Sequence, residues 1–317
     1  MPYPDKAVTK PRLFYTDHCP LPLPPGHRFP IEKYRLLREL LEADGNFTLE
    51  PSPLADLLVI EQTHDPDYVR GFAEGRLSAA AMRRIGFPWS EGLVMRTLAS
   101  VGSTLAATQE ALACGWGGTL AGGTHHAFRA EGSGYCVFND IAVAIEWLRA
   151  DRGIRRTAVL DLDVHQGDGT AQIFRNDDAV LTLSIHCKNN FPLRKQHSRI
   201  DVELDAGTGD EVYLLRLAEV LPEVLAFHPQ IIFYQSGVDA LAEDRLGKLS
   251  LTHAGLTERD RQVMKLVQAA RVPVVITVGG GYAEPIQLTV EAHANTFRAA
   301  REMLSDLIQP SPVKPSG

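Results

Sequence analysis

The chain has 317 residues, 44% of them apolar, which is enough for a sizeable core. Its formal charge of −7 argues against non-specific nucleic-acid binding, though not against a basic protein tail as substrate. The four cysteines (Cys19, Cys114, Cys136, Cys187) include no CxxC pair, so no disulfide framework is expected and a reducing compartment fits.

Residues 1–10 contain no apolar stretch of signal-peptide type and are expected to be flexible. Apolar runs of strand length follow at 13–15 and 57–60, with helical periodicity at 31–41 between them. An Ala/Leu-rich helix is predicted at 92–113, then a strand at 118–121 and a helix at 141–148. Strands are predicted at 158–162, 180–185, 230–234 and 274–278, with helices at 212–226, 258–270 and 285–307. The Pro- and Ser-rich tail, 308–317, is expected to be disordered. No run approaches the roughly 18 apolar residues of a membrane span, so the chain reads as soluble and cytoplasmic. Alternating strands and helices, with nearly continuous apolar strands, predict an α/β fold. One domain over 11–307 would hold a mostly parallel sheet with helices on both faces.

In such sheets the sites form beyond the carboxyl ends of the strands. The segment Asp161-Leu162-Asp163-Val164-His165-Gln166-Gly167-Asp168 brings three carboxylates and an imidazole to the end of one strand. If the extended geometry persists, Asp161, Asp163 and His165 share a face. Such a cluster is costly in a core unless its charge is neutralised, and a divalent cation does that most simply. A hydrolytic metal site needs about three protein ligands and an open position. Asp163 and His165 supply two, and Asp239, after another strand, is the natural third. The donor set suits Zn²⁺ and also tolerates Fe²⁺ or Co²⁺. His125 and His126, after a third strand, could serve as general base and general acid, and Asp161 and Asp168 remain to orient them. Tyr282 follows three glycines and could stabilise an oxyanion. That glycine run lacks the pattern of a phosphate loop, so nucleotide binding is not expected.

Several motifs together resemble the zinc-dependent histone deacetylase family, in its order and approximate spacing, from about residue 15 to 297. They are Gly123-Thr124-His125-His126-Ala127, Gly134-Tyr135-Cys136-Val137-Phe138-Asn139-Asp140, Asp161 to Thr170, Ser184-Ile185-His186, Ser236-Gly237-Val238-Asp239 and Gly279-Gly280-Gly281-Tyr282. The resemblance implies the arginase/deacetylase fold with an eight-stranded sheet, and hydrolysis of an Nε-acyl-lysine amide or similar acylamine. It implies that Asp163, His165 and Asp239 bind zinc, that His125 pairs with Asp161 and His126 with Asp168, and that Tyr282 polarises the acyl carbonyl. Gly134, Tyr135 and Phe191 would line an acyl-lysine tunnel with Leu246 at its rim, and Arg28 would be the arginine of an internal channel. Backbone oxygens of Asp161, Asp163 and His165, with Ser184 and Ile185, match a structural K⁺ or Na⁺ site. The sequence departs from the family at Gly86, where many members carry an Asp that holds the substrate backbone, and at Tyr135, where Phe is usual. The Pro-rich N-terminal loop is closer to bacterial and class IV members, some of which remove long acyl chains.

Three functions are compatible with these residues. One is an acyl-lysine deacylase of proteins or peptides, acting on acetyl or longer groups. Another is an amidohydrolase of acetylpolyamines or other small acylamines, although no long insertion between Tyr34 and His125 builds a restricted entrance. The third, a non-catalytic scaffold, would be signalled by a lost ligand or a lost Tyr282, and neither is lost. A two-manganese arginase would need carboxylates that these motifs do not supply. Oligomeric state is not legible.

Overall fold

Runs such as Val-Val-Ile-Thr at 274–277 carry the β-branched side chains that pack well on a pleated surface, and turn residues bound them. A computed structural model describes residues 10–305, so the terminal segments 1–9 and 306–317, which include the expected tail at 308–317, lie outside the described residues. In chain order the elements are β1 (Arg12–Tyr15), α1 (Glu32–Asp44), β2 (Thr48–Pro51), α2 (Leu57–Ile60), α3 (Pro66–Ala73), α4 (Ala79–Ile85), α5 (Glu91–Cys114) and β3 (Trp116–Thr119). They continue with α6 (Asp140–Arg152), β4 (Thr157–Asp161), α7 (Asp168–Ile173), β5 (Val180–Cys187), β6 (Ile200–Leu204) and α8 (Asp210–Ala226). The series ends with β7 (Ile231–Gln235), α9 (His253–Ala270), β8 (Val274–Thr277) and α10 (Ile286–Leu304).

All eight strands form one parallel sheet in the order β2-β1-β3-β8-β7-β4-β5-β6. Alternate side chains of each strand enter two different cores. Ala158 and Leu160 of β4, Ile232 and Tyr234 of β7, and Val274 and Ile276 of β8 pack with α1, α8, α9 and α10. Val159, Phe233 and Val275 face the other way, against α5 and α6. This is the two-sided burial expected of a parallel sheet. Helix ends follow local chemistry. Ser90 Oγ caps α5 by accepting from Leu93 N–H at 3.1 Å, and Gly115 closes that helix with φ of 90°.

The structure corrects the sequence reading in several places. Residues 57–60 form not a strand but one helical turn, capped by Asp56 and packed through Ile60 against Tyr68 and Phe72. Two strands, β2 and β6, were not anticipated, and both lie at the sheet edges. Finally, β4 ends at Asp161, so the extended geometry does not persist to His165. Asp161 Oδ1 accepts from Asp163 N–H at 3.2 Å, and Asp163 Oδ1 from His165 N–H at 3.0 Å. These local bonds turn the backbone, so Asp161 faces away from the Asp163–His165 pair.

Parallel strands put all their carboxyl ends on one edge. The four strands that carry the polar motifs, β3, β8, β7 and β4, are consecutive in the sheet. Segments distant in sequence therefore open onto one place.

Candidate active site

Buried Asp163 and His165 leave the turn after β4, and buried Asp239 follows β7. His165 Nδ1 lies 3.1 Å from Asp163 Oδ1 and 3.0 Å from Asp239 Oδ2, and one donor atom from each residue falls within 4.8 Å of the others. Asp239 Oδ1 also accepts from Val164 N–H at 2.8 Å, which ties the third donor to the loop carrying the first two. Burial, then the charge of Asp163, raises the Asp239 pKa to about 7. Holding two carboxylates together out of water is unfavourable, and a cation is the partner that offsets it. The local backbone is shaped for this cluster. A Cβ at Gly237 would collide with Asp163 Oδ2, and one at Gly280 with Asp239 Oδ2. Two oxygens and one nitrogen at this spacing fit a divalent ion such as Zn²⁺.

Both histidines stand beside this cluster, their ring centroids 4.0 Å apart. His125 Nδ1 donates to Asp161 Oδ2 and His126 Nδ1 to Asp168 Oδ1, each at 2.7 Å. Such bonds fix the tautomer and leave each Nε2 for chemistry. Their electrostatics diverge. Burial disfavours the charged form of His125, but Asp161 and Asp163 outweigh it and raise its pKa to about 9. For His126, burial and then the charge of His125 dominate and lower its pKa to about 4. The histidine loop is anchored by Asp140, at the start of α6. Its carboxylate accepts from Gly123 N–H at 3.0 Å, Thr124 N–H at 2.7 Å and Thr104 Oγ1 at 2.5 Å.

Tyr282 is half-buried on the loop after β8. Burial, then Asp239, holds its phenol well above the usual pKa, so it remains an O–H donor. Two residues that the sequence reading missed hold its loop. Asp244 accepts from Tyr282 N–H at 2.6 Å and from Leu246 and Gly247 N–H, both at 2.8 Å. Lys33, only 2% exposed, donates to Gly279 O at 3.0 Å, and its ammonium lies 5.2 Å from the Tyr282 ring. Two more were missed around the Asp163, His165 and Asp239 group. Gln235 Nε2 donates to Asp163 Oδ2 at 3.2 Å. Buried Arg259 donates to Gly237 O at 2.5 Å and Leu162 O at 3.4 Å, the backbone flanking both segments of that group, while Asp260 balances its charge at 2.8 Å. Asp140 stood in a quoted motif, and Asp244 and Lys33 lie near other motifs. No local pattern separates such residues from ordinary caps and surface charges.

Above the cluster, the ring of His126 meets Phe191 edge-on at 4.8 Å, and a Cβ at Gly134 would strike His126 Cδ2. Leu246 O accepts from Asn190 Nδ2 at 2.9 Å, which joins the rim to the Phe191 loop. Tyr135 packs 5.0 Å from Phe29 and 6.4 Å from Tyr282. Ser184 and Ile185 lie in β5, Ser184 in register with Asp161. Arg28 requires a correction. It is exposed at the mouth, in an open recess it shares with Arg245 and Tyr282, not in an interior channel. The chain turns at 25–26 and bends at 28–29, before α1 begins. Among the described residues the buried cations are instead Lys33, Arg96 and Arg259. Gly86 caps α4 beside Tyr135 and contributes no carboxylate to the rim.

Comparison with known proteins agrees with this geometry. Residues 27–297 match the histone deacetylase domain. The chain is 44% identical to an uncharacterized protein of Picosynechococcus sp. PCC 7002 over 92% of this chain and 99% of that one. It is 30% identical to a histone deacetylase-like amidohydrolase of Pseudomonas aeruginosa, covering 91% of this chain and 82% of the relative. It is 31% identical to histone deacetylase 2 of Arabidopsis thaliana, covering 81% and 70%. No helix among the described residues is long and apolar enough to cross a membrane. A parallel sheet that gathers two oriented histidines and a buried Asp-His-Asp group at one edge, in a chain that carries this domain over most of its length, is that of a hydrolytic deacetylase belonging to the histone deacetylase family.

Proposed function

We propose that the chain hydrolyses Nε-acyl-lysine amides in proteins or peptides. The reading rests on one observation. Asp163, His165 and Asp239, Tyr282 and the two histidines, each held by its Asp, line a single pocket, with Gly134 and Tyr135 in its wall. A Zn²⁺ ion held by Asp163, His165 and Asp239, with Fe²⁺ or Co²⁺ as chemical alternatives, would supply Lewis acidity toward the acyl oxygen and the attacking water. His126 is neutral near pH 7 and takes the proton of that water. It borders Phe191, where the lysine stem would lie, and passes the proton to the departing amine. His125 is cationic and stabilises the negative charge that builds on the reacting centre. Tyr282 donates its O–H to the acyl oxygen as the carbon becomes tetrahedral. Asp161 and Asp168 hold the two rings. Gly134, Tyr135 and Phe191 flank the acyl-lysine stem, Leu246 borders the rim, and Arg28 meets the substrate outside the pocket. A K⁺ or Na⁺ ion at the backbone oxygens of Asp161, Asp163 and His165, with Ser184 and Ile185, would brace the ligand loop from below.

A small-acylamine substrate is the second reading. The observation that favours it is Gly86, which leaves the rim without a carboxylate to hold a peptide backbone. At the mouth, Glu284 is engaged by Arg245 at 3.3 Å, while exposed Glu32 lines the same recess.

Acyl-lysine peptides assayed beside acetylpolyamines test the choice. Turnover of acetyl-lysine peptide at least tenfold above any acetylpolyamine is expected, and turnover of polyamines alone would reject the peptide reading. Within the same assay, Tyr282→Phe is expected to lower kcat by about 10²–10³, the usual cost of one oxyanion donor, without loss of bound metal. An unchanged kcat would remove Tyr282 from the mechanism.

A further inference from the structure

The buried arginines of this protein are treated in opposite ways. Arg259 is fully compensated by Asp260 at 2.8 Å and by backbone carbonyls. Arg96, on α5, is 7% exposed, and no carboxylate among the described residues pairs with it. Asp17, the carboxylate whose field reaches it, is already held by Arg38 at 2.9 Å. A guanidinium cannot shed its charge to relieve burial, so it retains a demand for an anion.

Arg96 faces a cavity of about 60 Å³ whose other walls are largely apolar, among them Leu21, Phe87, Leu93 and Val101. The cavity adjoins the catalytic pocket, and the two share Phe29, Tyr34, Gly122, Thr124 and Tyr135 as walls. Thr124 directly precedes His125. Tyr34 links the two spaces electrostatically. Arg96 Cζ lies 4.3 Å from its ring centroid and Lys33 Nζ 5.3 Å, while Lys33 also sits 5.2 Å from the Tyr282 ring. The path from Tyr282 inward is therefore cationic and ends, in a largely apolar chamber, at a guanidinium that touches the Tyr34 ring and hydroxyl but has no carboxylate partner among the described residues.

We propose that this chamber is a carboxylate site built on Arg96, which selects short acyl groups that end in a second carboxylate, of the succinyl or glutaryl kind. The proposal rests on the acyl-amide hydrolase reading of the adjoining pocket. Size supports it. A space of about 60 Å³ holds roughly four water-sized volumes at about 15 Å³ each, enough for a terminal carboxylate and two or three methylenes but not for a long fatty chain. Charge supports it as well, because a carboxylate in a water-poor site can take two parallel N–H bonds from one guanidinium. The reaction is unchanged. Water adds hydroxyl to the acyl carbon, the amide C–N bond breaks, the amine leaves with the proton, and the acyl product is a dicarboxylate.

The test compares one lysine peptide bearing acetyl, butyryl, succinyl or succinamoyl groups, the last being the uncharged match for succinyl. The metal-loaded full chain should favour succinyl over succinamoyl in kcat/KM by at least about tenfold. Arg96→Met should bring that ratio to about one, whatever it does to both rates together, and Arg96→Lys should restore part of it. Free succinate should raise the Tm of the wild-type protein but not of Arg96→Met, a readout independent of turnover. Hydrolysis of acetyl and butyryl peptides with a succinyl-to-succinamoyl ratio near one overturns the proposal while leaving the hydrolase reading intact. So does a ratio that survives in Arg96→Met. Inhibition by free acetate that Arg96→Met relieves, with no succinyl preference in the wild type, would assign Arg96 to the released product instead and also overturns it. No hydrolysis of any acyl peptide rejects the hydrolase reading, and with it the proposal unless succinate still stabilises the wild type through Arg96.

Discussion

Asp239→Ala is expected to take bound metal from about one ion per chain to near zero after gel filtration, and deacetylation with it. Asp239 does two jobs in one position. Oδ2 faces His165 Nδ1 at 3.0 Å, while Oδ1 holds Val164 N–H at 2.8 Å. Truncation therefore removes a donor and also loosens the loop that carries Asp163 and His165. Losing only an outer partner of a metal ligand typically costs about 10–100-fold in affinity, so losing this ligand should exceed that range. Gly237 and Gly280 pack against the carboxylates with no room for a side chain of their own. Asp239→Asn keeps the size and an oxygen for Val164 but drops the charge, and it should fall between alanine and wild type. Full metal content in Asp239→Ala, measured by elemental analysis, would remove this residue from the ligand set.

His126→Ala should lower kcat by roughly 10²–10⁴, the range for a general acid–base group, while metal content stays near one per chain. The expectation follows from placement. His126 is oriented by Asp168 at 2.7 Å, lies against Phe191 at the proposed site of the lysine stem, and is kept neutral by burial and by charged His125. His125 lies on the inner side, with Nε2 4.0 Å from Asp163 Oδ1. Removing it should disturb metal and charge stabilisation together, a different signature. A His126→Ala enzyme within tenfold of wild type would transfer the proton work to His125 or to solvent.

The long central elements were legible from sequence because burial on both faces leaves a strong mark. The strands at 158–162 and 230–234 and the helix at 92–113 lie within a few residues of β4, β7 and α5. What failed had a weak local signal. Four apolar residues at 57–60 cannot distinguish a strand from one helical turn, and the cap at Asp56 decides the matter. In β6, Ile-Asp-Val-Glu-Leu alternates cleanly, but its charged half faces out from a sheet edge and dilutes the apolar run. His125, His126, Asp163, His165, Asp239 and Tyr282, from four separate motifs, line one pocket. Their supports do not announce themselves, because Asp140, Asp244 and Arg259 act through backbone atoms of segments remote in sequence. Arg28 shows the opposite error. A suitable residue type near a familiar pattern points outward, and Lys33 at the buried start of α1 reaches the glycine loop instead.

Strand order has a kinetic consequence. His165 and Asp239 are 74 residues apart in sequence, yet they stand beyond adjacent strands, with Asp161 in register against Gln235. The donor set therefore does not exist until β4 and β7 have paired in register, a slow, non-local step in any folding chain. An ion cannot nucleate this protein as it nucleates a zinc finger, whose ligands are close in sequence. Uptake of metal during refolding would instead time-stamp completion of the sheet's centre, and a chelator added to the native enzyme would silence it while leaving the architecture standing.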